Sequence, residues 1–112
     1  MKVIYNKYIP IKGYVAINLF GIIFARKEFN PLSRITENHE RIHTAQMREL
    51  LFIFFYLWYG IEWVIRLIQY RETKKAYLNI SFEREAYKNQ NNLGYLKVRK
   101  KYEFRIYLSI KK

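Results

Sequence analysis

From Thr44 to Tyr59 the chain meets no helix breaker, and whatever fold it adopts must house that stretch. Upstream, Asn30-Pro31-Leu32-Ser33 is turn chemistry, and Ser33 or Thr36 can cap a helix whose first turns carry Glu37 and Glu40. The pattern predicts a long helix from about Thr36 to about Tyr59, ended by Gly60. Its first half is amphipathic, with Arg41, Gln46, Arg48 and Glu49. Its second half, from Leu50 to Tyr59, is apolar on every side, which requires burial in protein or in lipid.

Near the start of this helix, His39-Glu40-Arg41-Ile42-His43 reads H-E-x-x-H and uses both histidines of the chain. Positions four apart share a helix face, so His39 and His43 can turn two imidazole nitrogens toward one ion, here Zn²⁺. Glu40 sits beside them as a general base for water. A catalytic zinc needs a third protein ligand. With no cysteine and no further histidine, that ligand is a carboxylate.

Three glutamates are candidates. Glu62 lies nineteen positions after His43, but on an unbroken helix it would be about 28 Å further along the axis at 1.5 Å per residue. Glu83 and Glu85 fall on a separate helix that can fold back beside the first, with Ser81 as its N-cap and Lys88 to Asn92 ending it. Glu85 is most simply a charge favoured near that helix N-terminus.

H-E-x-x-H followed by Glu83-Arg84-Glu85-Ala86, an E-x-x-A, resembles the gluzincin peptidases, particularly membrane-associated ones such as prenyl-protein and β-lactam-sensor proteases. The resemblance implies a single minimal zincin-like domain over residues 1–112 that hydrolyses peptide bonds with a zinc-activated water. It assigns the metal to His39, His43 and Glu83, and the catalysis to Glu40. The match covers about ten residues, and Tyr87 stands where the family has an aspartate that orients a ligating histidine. Tyr77 or Tyr87 is the expected donor to an oxyanion.

The remaining sequence frames this helix. Residues 1 to 29 read as a two- or three-stranded antiparallel sheet, with a turn at Lys12-Gly13 and Gly21 interrupting the apolar run from Tyr14 to Ala25. Residues 61 to 69 read as a second helix or a continuation past a kink, and 71 to 75 as a solvated charge run. From Leu96 apolar and charged residues alternate, which predicts a basic strand, or else a basic amphipathic segment. The fold class expected is therefore α+β.

The net charge is +12, and all nine acidic residues are glutamate. An excess of that size favours anionic partners. The competing reading is accordingly a non-catalytic basic protein that binds an anionic membrane surface or a partner, with a structural or vestigial metal site. Nucleic acid binding ranks last, because no recognition motif accompanies the charge. No signal peptide is evident, so a cytoplasmic or membrane-associated location is expected. The span from Leu50 to Ile68 is a marginal bilayer candidate.

Overall fold

The computed structural model describes residues 2–108, in which a small sheet precedes five helices, an α+β arrangement. Strands β1 (Val3–Asn6), β2 (Ala16–Leu19) and β3 (Ile22–Arg26) lie in the order β1-β3-β2. β2 and β3 form an antiparallel hairpin closed by Phe20 and Gly21, both at positive φ (54° and 91°), as tight two-residue loops require. The sheet is not wholly antiparallel, however, because β1 pairs with β3 in parallel. The turn at Lys12-Gly13 forms with Gly13 at φ 103°, but it lies in a connection leading to the opposite edge of the sheet instead of joining paired strands.

Helix α1 (Arg34–Glu49) begins as its sequence predicts, with the Ser33 side chain accepting a hydrogen bond from the Thr36 N–H. It stops ten residues before Tyr59. Leu51 and Phe52 take positive φ (55° and 62°), and α2 (Ile53–Tyr70) leaves at 111° to α1. A left-handed turn built from Leu and Phe costs about 1–2 kcal/mol per residue. Packing offsets that cost. Phe52 joins a core cluster of Met47, Phe55, Ile80, Phe82 and Phe104, and the turn lets α2 fold back so that Phe55 packs 4.5 Å from the Phe82 ring. Gly60, the expected terminus, sits inside α2. Among the described residues no single helix is long and apolar enough to cross a membrane.

The short α3 (Thr73–Leu78) occupies part of the charge run and leads into α4 (Ser81–Asn89). Ser81 does not cap α4 with its side chain. Instead the Glu62 carboxylate, reaching across from α2, accepts bonds from the Ser81 N–H (2.6 Å) and hydroxyl (2.7 Å). It thereby satisfies a helix N–H that has no intrahelical partner. The tail forms no strand within the described residues: α5 (Tyr95–Val98) is followed by a 3-10 turn, Glu103–Tyr107. Burial of Phe104, and of Arg99 against Glu49 and Glu85, overrides the period-two pattern. Residues 109 to 112 of that alternation lie outside the described residues.

Glu62 is thus a structural residue whose loss is readily measured. Glu62→Ala leaves the Arg66 guanidinium without its carboxylate and the Ser81 N–H and hydroxyl without an acceptor, all in the interior. Removing one partner of a buried pair costs about 3–5 kcal/mol. Urea unfolding of Glu62→Ala should show a loss of that order, and a loss under about 1 kcal/mol would mean that the cap is dispensable.

Candidate metal centre

His39 and His43 occupy the buried face of α1, directly against α4. Two side-chain amides set the geometry around them. Asn38, the residue before the first histidine, donates to the Gln90 and Asn92 carbonyls (2.8 and 3.0 Å) and so pins the end of α4 to α1. Asn18, the polar interruption in the apolar run of β2, donates to the Glu40 carbonyl (2.8 Å) and to Thr44 Oγ1 (2.7 Å), fixing the sheet to the same helix. Helix α4 then brings Glu83 over the pair.

The three donor atoms form a nearly equilateral triangle. His39 Nε2 lies 3.2 Å from His43 Nε2, and each is 3.1 Å from Glu83 Oε1. All three residues are buried, and together they could hold a metal ion. Glu62 and Glu85 are not part of the cluster. Glu62 caps α4, while Glu85 is taken up by Arg99, Tyr95 and Gln46.

Each donor is oriented from behind by a residue that spacing did not reveal. Gln46 donates to the Phe82 carbonyl and to Glu85, which turns its amide oxygen toward His43 Nδ1 at 2.8 Å. The amide oxygen of Gln90 meets His39 Nδ1 at the same distance. A carbonyl can only accept, so each Nδ1 carries a hydrogen, and in its neutral form each imidazole turns an Nε2 lone pair toward the triangle, the tautomer a metal requires. Tyr59, on α2, donates to Glu83 Oε2 at 2.7 Å. Burial, and then the charge of Glu83, push the Tyr59 hydroxyl well above its ordinary pKa, which keeps it a donor. Tyr87 does not take the orienting role that the resemblance gives an aspartate at this position: it lays its ring edge-on to His39 (4.4 Å between centroids) and bonds through its hydroxyl to Tyr77. One turn of α1 separates Gln46 from Ile42, and three residues separate Gln90 from Tyr87; only the packed α1–α4 pair shows that these glutamines face the imidazoles.

Glu40 differs from the other buried glutamates. Glu62, Glu83 and Glu85 all accept hydrogen bonds from protein groups, whereas no described residue donates to the Glu40 carboxylate. It faces a cleft of about 780 Å³ that it lines together with His43 and Glu83. Burial pushes its carboxyl above the ordinary value, against the pull of His43 and His39. Across the cleft run β2, at the edge of the sheet, and Tyr77.

Protons compete with a metal for this site. Burial lowers the pKa of His43, but the charge and hydrogen bond of Glu83 outweigh it and hold the imidazole at about 9. Burial likewise opposes the charge of Glu83, yet His43 and the bonds to both imidazoles keep it well below the usual carboxylate range. The His43 value is raised from 6.5, so the stabilisation it gives the metal-free fold is complete below pH 6.5 and lost as pH rises through about 9. A metal must displace that proton, so its affinity should rise with pH and level off near 9. Calorimetric titration and melting of the metal-free protein across this range test both signs; an affinity that falls with pH would contradict them. Glu83→Gln should abolish stoichiometric metal binding and Glu62→Gln should retain it. The reverse pattern in metal analysis would move the third ligand to Glu62.

No protein-family model, curated protein or solved structure matches the chain.

Proposed function

We propose that the chain is a small zinc-dependent metallopeptidase of the gluzincin type, with His39, His43 and Glu83 as ligands and Glu40 as general base. The observation that carries this reading is the pairing of a closed His-His-Glu triangle with a buried carboxylate, Glu40, that has no donor among the described residues and opens on the same cleft. The donor set fits zinc. Two neutral imidazoles and one carboxylate make up a common catalytic ligand group, and edges of 3.1–3.2 Å approach the roughly 3.3 Å expected of a tetrahedron with bonds near 2.0 Å.

Zinc, when bound, supplies a Lewis acid that polarises a carbonyl and acidifies water. The chain's own residues do the rest. Gln46 and Gln90 hold the imidazole tautomers, and Tyr59 holds the Glu83 carboxylate in register. Glu40 takes a proton from the attacking water and passes it to the departing amine, a task suited to a carboxylate whose pKa burial raises above its ordinary value. Tyr77 lines the cleft, and burial, followed by the charge of Glu83, raises its hydroxyl far above the ordinary value, so it stays protonated and can donate to an oxyanion. The cleft is lined mostly by apolar and aromatic side chains, and edge strand β2 borders it, which suits an extended peptide.

The test is a pair of variants on the zinc-loaded protein. Glu40→Gln should keep its metal and lose about 10²–10⁴-fold in cleavage of a fluorogenic peptide library. Tyr59→Phe should weaken zinc binding about 10–100-fold. If zinc-loaded wild type cleaves no peptide, or if Glu40→Gln cleaves as fast as wild type, the centre is structural and the basic-protein reading replaces this one.

A further inference from the structure

Helix α2 is built inside out. Its buried face carries the charged pair Glu62 and Arg66 (6% and 2% exposed), while no exposed residue of the helix is charged. The outer face instead presents Phe54, Leu57, Ile61, Val64, Ile65 and Ile68, each between 49% and 72% exposed. Their spacing of three and four residues puts them on one stripe about 21 Å long, at 1.5 Å per residue. Single exposed apolar residues are ordinary, but a continuous stripe of this length marks an interaction site.

The distribution of charge indicates what covers it. Four of the nine glutamates, at positions 40, 62, 83 and 85, are buried, whereas among the described Lys and Arg residues only Arg26 and Arg66 are fully so. Folding thus makes the surface more cationic than the sequence charge of +12 suggests. Exposed Arg48 stands just before α2, and exposed Arg71, Lys74 and Lys75 stand just after it, with Glu72 the acidic residue among them. A second copy seated on the stripe would bring these like-charged ends together. An anionic lipid surface would complement them while accepting the apolar face. Nor does the broken α1–α2 pair suit a membrane span, because it bends by 111° and α1 carries the polar residues of the metal centre.

We propose that α2 lies in the plane of an anionic bilayer surface, with the Phe54-to-Ile68 stripe in the acyl boundary and the basic residues at both helix ends against lipid headgroups. The binding does not depend on whether the cleft is catalytic. Flotation of the full chain tests it, using phosphatidylcholine vesicles with and without about one quarter phosphatidylglycerol, beside the triple variant Leu57→Ser, Ile61→Ser, Ile68→Ser. Wild type should float with the anionic vesicles, and about 0.5 M salt or pure phosphatidylcholine should weaken that. The triple variant should bind more than about ten-fold more weakly, with unchanged circular dichroism, since its substitutions are all at exposed positions. Equal flotation of the variant would overturn the proposal, as would failure of wild type to float. A wild-type dimer that the triple substitution dissociates, without vesicle binding, would give the stripe to a second copy. Retention of wild type on vesicles through an alkaline carbonate wash would also count against it, by showing an inserted segment.

Discussion

Three lone-pair-bearing atoms 3.1–3.2 Å apart in the interior cannot stay neutral and mutually facing without positive charge among them. That requirement organises the fold around α1 and α4. The metal-free protein meets it with a proton on His43, and a metal ion meets it with a centre of higher charge. Gln46, Gln90, Tyr59 and Asn38 belong to the same requirement, since each keeps one edge of the triangle from opening. The mixed sheet and the α1–α2 turn serve it at a further remove, by delivering Asn18 to α1 and Tyr59 to Glu83.

The buried glutamates show how one residue type is given different tasks by its surroundings. Glu85 meets Arg99 and Tyr95, an arrangement that locks the tail onto α4. Glu62 caps a helix and pairs with Arg66. Glu83 closes the triangle, and Glu40 is left facing the cleft with its charge disfavoured. A carboxylate that lines a cleft with its charge disfavoured by burial is where chemistry is expected.

The parts of this arrangement that depend on local spacing were legible in the sequence: the histidine pair four residues apart, the Ser33 cap, the bounds of α4, and Glu83 on an element able to fold back. The parts that depend on tertiary contact were not. A left-handed turn at Leu51 and Phe52 has no glycine, proline or asparagine to announce it; burial of Phe52 and Phe55 selects it. Gly60 looks like a stop because glycine weakens helices by about 1 kcal/mol, a cost that the packing of Phe55 before it and Trp63 after it overrides. An unbroken helix would carry Glu62 far along its axis, but the break at Leu51 and Phe52 turns α2 back by 111°. Glu62 is excluded instead because Ser81, Trp58 and Arg66 already use its oxygens. The alternating tail failed as a strand because its anchors are Tyr95, Arg99 and Phe104, which do not follow period two.

Tyr87 stands where the gluzincin resemblance implies an aspartate behind His39, and in the fold the acceptor at that position comes from Gln90. Orienting a ligating histidine requires only an acceptor at Nδ1, and the Gln90 amide oxygen provides one 2.8 Å away. What changes is charge. A carboxylate behind His39 would add a negative charge beside the metal position; a neutral amide adds none. With Glu83 as the sole anionic ligand and Glu40 as the nearby carboxylate, a divalent ion here would keep more of its charge for polarising a bound carbonyl. Tyr87 also packs its ring edge-on against His39, with 4.4 Å between the centroids. The support behind His39 is thus a neutral amide and an aromatic ring, in place of the carboxylate that the resemblance implies.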